Sequence, residues 1–547
     1  VQFKKLFVAS VTALLSASVL VGCSSSTSKS QVPKDTIRIS EKDVISTMDP
    51  SLNTDMIGAQ NINNTMDGLY RYHGKELQPA IATNIVKPTN NGLTYTFKLR
   101  KTARWSNGDP VTADDFVFAW RRTVDPKTKS ASSYLFEGIT NAKDITSGVK
   151  AANTLGVKAL DKHTFQVNLE KPIPYLSALM TSPTFFPQNQ KIVKKWGQKF
   201  GTNSKTLVSN GPYKLVNWNG TNNSWTEVKN DKYWNAKNVQ VRKIQYQVVK
   251  DSSTALNLYQ SNKLDRVLLT GDISKQMRGN KHYSVIKQNS TYYIELNQKR
   301  HSFFKNQKIR QALSLAINRK QLTQKIVGSG TVATNTFNAS NMAFDPKDKN
   351  KDFTAETNKT AKATATYNLT KAKQLWKEGL KETGQNNKQL HFTLLGDDLE
   401  ISKQQDEFIQ NQLEKLPGLK VSLSNIPFKS RIARAQSGNF DMVVTAWSAD
   451  FPDPINFLTL FTTNSSYNDG KWSNAEYDRF VNKALNEDAN TPSARWEDMK
   501  AAQNIANEQV AAIPLYQNGQ SFMTHPRVKG VDFGPSGDYN MVSIRIK

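Results

Sequence analysis

The chain of 547 residues contains one cysteine, Cys23. No intrachain disulfide can form, so its fold must be held by packing alone. Single hydrophobic cores stop growing at about 250–300 residues, so more than one lobe is expected. Hydrophobic residues make up 37% of the chain and aromatic residues 10%, enough for large cores. One long apolar run stands out, at residues 6–21. No second run approaches the ~20 apolar residues of a spanning helix, so the remainder should contain none.

The apolar run follows Lys4 and Lys5 and is interrupted by Ser10, Thr12, Ser16 and Ser18. A basic start, an apolar stretch and small residues before a cut site read as a secretory signal. The run closes on Leu20-Val21-Gly22-Cys23. This resembles the lipobox of bacterial lipoproteins, in which the thiol is alkylated with diacylglycerol and cleavage leaves the cysteine as the new N-terminus. The resemblance implies a signal peptide at residues 1–22, lipidation of Cys23, and a serine-rich flexible tether through residue 35. The body would then work on the extracytoplasmic face of the cell membrane, held there by lipid.

Lysine and arginine total 73 against 46 acidic residues, a net charge of +27. The positive residues are scattered and form no dense block or nucleic-acid module, so no nucleic-acid partner is expected. A diffuse basic surface on an exported protein suits attraction to an anionic membrane or wall.

Strand and helix patterns are mixed throughout. Thr94-Tyr95-Thr96-Phe97-Lys98-Leu99 alternates as a half-buried strand. Thr112 should cap a helix with Asp114 and Asp115 in its first turn, and Phe116 and Trp120 should share its buried face. Ile309, Ala312, Leu313, Ala316 and Ile317 have amphipathic helical spacing. So do Leu369, Ala372, Leu375, Trp376 and Leu380, with Thr370 near the cap. A helix through Phe408 and Leu413 should stop at Pro417-Gly418. Strands should follow over residues 419–423 and 440–447. The polar stretch 345–366 reads as a long surface loop.

Several segments then converge. Trp105-Ser106-Asn107-Gly108-Asp109-Pro110-Val111-Thr112-Ala113-Asp114-Asp115-Phe116 is followed by Asn210-Gly211-Pro212-Tyr213 and Asp231-Lys232-Tyr233-Trp234. Ile309-Arg310-Gln311-Ala312-Leu313, Trp447-Ser448-Ala449-Asp450 and Ile513-Pro514-Leu515-Tyr516 come after. Their order resembles that of family 5 extracellular solute-binding proteins, most closely the lipid-anchored oligopeptide receptors of ABC importers. The resemblance implies a two-lobed α/β clamshell, like periplasmic binding proteins of class II, with mixed sheets and an extra domain on the first lobe. It places lobe I at residues 36–56, 204–295 and 513–547, the extra domain at 57–203 and lobe II at 297–512. Two strands would form the hinge.

An extended peptide exposes backbone groups that a strand edge can pair whatever the side chains. By resemblance, the carboxylate of Asp450 meets the peptide's α-ammonium, although Asp450 could instead simply order the turn at Pro452-Asp453-Pro454. The backbone of Ala446, Trp447, Ser448 and Ala449 would be the strand edge. Trp447 would be a wall beside the first peptide residue or a plain core residue. Ile45 and Ser46 match the family region facing the peptide from the other lobe. Tyr292, Tyr293 and Asn297, near the lobe crossing, could line the cleft or pack the hinge. Some relatives carry an arginine for the ligand carboxylate where this chain has Val444. Arg300, His301 and Arg434 are then alternative cations, and solvated surface positions suit them better.

The segment from Trp105 reads as a turn and a capped helix, not as a catalytic site. No nucleophile elbow, phosphate loop or His-Glu-x-x-His occurs, so no enzyme, catalytic residue, metal or cofactor is expected. Asp348-Lys349-Asn350-Lys351-Asp352 hints at a calcium loop, but Phe353 and Lys359 stand where glycine and glutamate are needed. The expected partners are an oligopeptide, importer permease subunits with separate ATPase subunits, and the membrane, with the receptor a monomer. Capture of a signalling peptide, or of another family ligand such as a nickel chelate or opine, is the alternative, with a peptide-processing enzyme behind it.

Overall fold

The computed structural model describes residues 34–386, 388–535 and 539–547. Cys23 and the signal segment lie outside the described residues. Residues 35–547 form one body.

Its framework is a mixed sheet of eleven strands. Ten of them are numbered here in chain order: β1 Thr36–Glu41, β2 Tyr213–Val216, β3 Ser224–Lys229, β4 Lys243–Val248, β5 Arg266–Leu269, β6 Tyr283–Leu296, β7 Leu390–Asp397, β8 Leu419–Ile426, β9 Met442–Ser448 and β10 Ile513–Thr524. The spatial order is β8-β7-β9-β6-β10-β5-β1-β4-β3-β2, and the short strand Val332–Ala333 adds to β10.

Two long antiparallel strands, β6 and β10, join the halves. With 14 residues, β6 spans about 46 Å at the usual strand rise. Its beginning pairs with the end of β10, where β5 also attaches; its end, Ser290 to Leu296, pairs with β9. Between these regions the β6–β10 register slips twice, at Lys287/Thr291 and at Tyr292/Tyr293. The ribbon is therefore irregular where it passes from one half to the other. This is the two-lobed clamshell expected from the sequence.

The Trp105 segment builds a turn and a helix. Gly108 takes φ +99, a conformation open to glycine at little cost. The helix Ala113–Val124 begins with a capping box in which Asp115 accepts from the backbone N–H of Thr112 at 2.9 Å. Asp115 also accepts from the Trp105 indole at 3.2 Å, and burial lifts its carboxyl to about 6. Trp120 is fully buried, edge-on to Phe136, Phe165 and Phe185, with its indole N–H on the Phe185 carbonyl at 2.9 Å. Phe165 lies in a three-stranded sheet that includes the expected strand Thr94–Lys98.

One expectation is corrected. Stretch 345–366 is not a loop. It contains a hairpin, Phe344–Asp345 with Asp348–Asp352, and the helices Phe353–Glu356 and Asn358–Ala365. Asp352 caps the first helix, while Phe353, Ala361 and Ala365 are buried. Three apolar anchors and one cap outweigh the polar composition. The helix Leu369–Glu382 is capped by Asn368, whose side chain accepts from the Lys371 N–H, with Thr370 two residues on.

Replacing Trp120 with alanine should lower the unfolding free energy by about 3–5 kcal/mol, the usual cost of truncating a buried tryptophan. Urea denaturation followed by circular dichroism measures it.

Candidate functional site

Between the halves lies a cavity with about 2020 Å³ of space free of atoms, its mouth included. The β6–β10 ribbon forms the floor, with Gln288, Tyr292 and Gln520. The end of β1 and the helix Met56–Thr65 form one wall. β9, the helix Phe428–Gln436 and the segment around Asp450 form the other.

The β9 wall is an incomplete ladder. β9 pairs with β6 along its whole length, Met442 to Ser448. On its other side it pairs with β7 only at Met442 and Val443. From Val444 to Ser448 that side borders the cavity. This stretch begins one pair beyond the end of the β7 ladder and overlaps the expected Ala446 to Ala449 at Ala446, Trp447 and Ser448.

Asp450 lines the cavity just past this edge. Its Oδ2 accepts from the Asn456 side-chain amide at 3.2 Å, while its backbone N–H donates to Asn456 Oδ1 at 3.1 Å. The same Oδ1 accepts from the Trp447 indole at 2.8 Å. Burial lifts the Asp450 carboxyl to about 6, and the Asn456 bond pulls the other way. No cation is paired with Asp450 among the described residues. The following turn has its own anchor, since Asp453 accepts from the Ile455 N–H at 2.9 Å and holds Arg495 through two bonds of 2.8 and 2.9 Å. Asp450, through its two bonds to Asn456, also spans that turn.

Trp447 is half-buried and sits edge-on to Tyr467, centroids 4.6 Å apart, with both rings in the wall. Tyr292 lines the floor and stacks on Tyr516 at 4.8 Å. Tyr293 borders the cavity but is 3% exposed and packs edge-on to Phe461, so it serves mainly as packing.

Four expected residues lie behind the walls. Ile45 is fully buried in the core. Ser46 bonds through its hydroxyl to Asp55, and it is Asp55 that reaches the cavity. Ala449 is buried, its N–H on the Asn289 carbonyl at 2.8 Å. Asn297 is 2% exposed and spends its amide on the carbonyls of Gly438 and Phe440, clamping the turn before β9. Arg300 and His301 pair with Asp441, and Arg434 bonds Ser424 and the Asn439 carbonyl. The cations that line the cavity are Lys42 and Arg431. Arg431 is 7% exposed, paired with Asp397 at 2.9 Å and within 3.3 Å of the Thr445 hydroxyl. Its place on a short amphipathic helix gives no local sign of this.

Seven carboxyl-bearing residues line the cavity, namely Glu41, Asp43, Asp55, Glu295, Asp397, Asp450 and Asp469, against those two cations. Burial together with Asp469 holds Glu295 well above the usual carboxylate range. In a chain of net charge +27, the interior of the cleft has the opposite sign.

The model of "Bacterial extracellular solute-binding proteins, family 5 Middle" matches residues 76–469. The "Dipeptide-binding protein" of Lactococcus lactis is 36% identical over 549 residues, covering 97% of this chain and 98% of that one. The structure "Listeria monocytogenes OppA bound to peptide" superposes with TM-score 0.89 at 38% identity, over 94% of this chain and 99% of that one. Two structures of the Escherichia coli murein tripeptide-binding protein MppA behave differently. One gives TM-score 0.85 at 29% identity, over 94% of this chain and 98% of that one. Its unliganded open form gives 0.61, over 94% and 97%. The halves of this chain are therefore disposed unlike those of that open form. From the matched segment, the two lobes and the cleft between them, the chain belongs to the family 5 bacterial extracellular solute-binding proteins.

Proposed function

We propose that this protein is an extracytoplasmic receptor that captures oligopeptides between its lobes and delivers them to the permease of an ABC importer, with energy from separate ATPase subunits. The observation that carries this reading is a cation-free carboxylate, Asp450, at the end of an open strand edge inside the cleft. Asp450 takes the peptide's α-ammonium in a charge-assisted bond. The backbone from Val444 to Ser448 pairs with the peptide main chain, which makes binding tolerant of sequence. Trp447 and Tyr292 flank the first residues, while Ile45, Ser46, Ala449 and Asn297 hold the walls in place. The acidic lining favours the positive end of the ligand. Relatives named for dipeptide and peptide binding support the ligand class.

The lobe limits we propose are residues 36–56, 204–295 and 513–547, with the extra domain at 57–203 and lobe II at 297–512. They agree with the sheet, in which β1 to β5 lie on one side of the ribbon and β7 to β9 on the other. The receptor acts as a monomer tethered through lipid on Cys23. Two acyl chains suffice for stable anchoring, where one is marginal.

Three outcomes test this. Asp450→Asn should weaken a free-amine peptide by about 2–5 kcal/mol by calorimetry and leave an N-acetylated peptide little changed; equal loss for both would refute the ammonium role. Burial lifts Asp450 to about 6 and the ammonium requires it ionised; a peptide α-amino group itself deprotonates at about 8, so affinity should be level from about 8 down to the Asp450 pKa. It should then fall by about tenfold for each unit below it, with proton release on binding. Cys23→Ser should move the protein from the membrane fraction to the medium; retention on the membrane would rule out the lipid anchor.

A further inference from the structure

Two seams join the halves around the cavity. One is largely aromatic. Tyr175 lies flat on Phe451, centroids 4.3 Å apart and 3° from parallel, and Tyr134 stands edge-on to Tyr467.

The second seam is ionic. The ammonium of Lys250 lies 3.3 Å from Asp43 and 2.7 Å from Asp398. Lys250 is two residues past the end of β4, Asp43 two past β1, and Asp398 one past β7. β1 and β4 are neighbours on one side of the β6–β10 ribbon, and β7 is on the other. A single ammonium therefore ties the ends of two strands in one half to the end of a strand in the other. Asp43 is 3% exposed and lines the cavity, and Lys250 opposes the effect of burial on it. Lys250 itself does not line the cavity. If the halves part at the ribbon, Lys250 keeps Asp43 and loses Asp398.

We propose that Lys250 is a closure latch, a positioning residue that retains bound peptide by joining Asp398 of one half to Asp43 of the other without touching the ligand. The proposal rests on the reading of the cavity as a peptide site. A contact made only when the halves meet shifts the equilibrium toward the closed state, and ligand contacts to both halves do the same. The Lys250 and Asp398 side chains are 34% and 26% exposed, whereas that of Asp43 is 4% exposed. The pair is thus partly screened by solvent, and its effect should be modest and dependent on salt.

The test is stopped-flow binding of a fluorescent free-amine peptide to the full chain. Lys250→Met and Asp398→Asn should each speed peptide release by about three- to tenfold, since a lost closing contact acts on dissociation. The association rate should stay near wild type, and so should the melting temperature of peptide-free Asp398→Asn, which leaves the Lys250–Asp43 pair in place. The double variant should be no worse than Lys250→Met alone, because Lys250→Met already removes the contact with Asp398 together with that to Asp43. Lys250→Arg should restore slow release, and molar salt should shrink the difference between wild type and variants. Release at the wild-type rate from both single variants overturns the latch while leaving the receptor reading intact. So does an additive double variant. A wild-type protein that binds no peptide overturns the receptor reading and the latch with it.

Discussion

A buried backbone amide or carbonyl without a partner costs stability, and folded proteins almost never leave one. β9 meets this constraint on one side with a full ladder to β6 and on the other with only two residues of β7. The remaining groups face a cavity, where water or a ligand backbone must complete them. The rest of the site follows from that edge. Asp450 marks its end, Trp447 and Tyr467 wall it, and the opposite half supplies the cover.

Charge is partitioned in the same spirit. The outside is basic enough to favour an anionic surface, and the cleft is acidic enough to favour a positive terminus. Among the lining acids, Asp397 is matched by Arg431 and Asp43 by Lys250, while Asp55 is absorbed by the N-terminus of a helix. Asp450 is left with only a neutral amide.

Much of this was legible in the residues. Thr112 and Asp115 announce a capped helix because capping is local chemistry, and the alternation at Thr94 announces a strand for the same reason. Asp450 and Trp447 were reached through resemblance to a family, and the cavity does contain them. Ile45 and Asn297 came from the same resemblance and lie behind the walls. Sequence proximity to a cleft does not say which way a side chain turns, and a shift of one residue reverses it on a strand. Arg431, Lys42 and Asn456 carry no local sign at all. Arg431 meets Asp397 and Lys42 faces the other half's wall only because distant segments come together, whereas Asn456 acts within its own turn. The stretch 345–366 was misread because composition counted its polar residues, while Phe353, Ala361 and Ala365 decided its packing.

Asn456 has one further consequence. Its single side-chain amide fixes the Trp447 indole, the Asp450 backbone and the Asp450 carboxylate together. Rotating that amide would exchange donor for acceptor and break all three bonds. The aim of the carboxylate is therefore settled when the chain folds, before any guest arrives. The entropy of ordering it is not charged against affinity a second time.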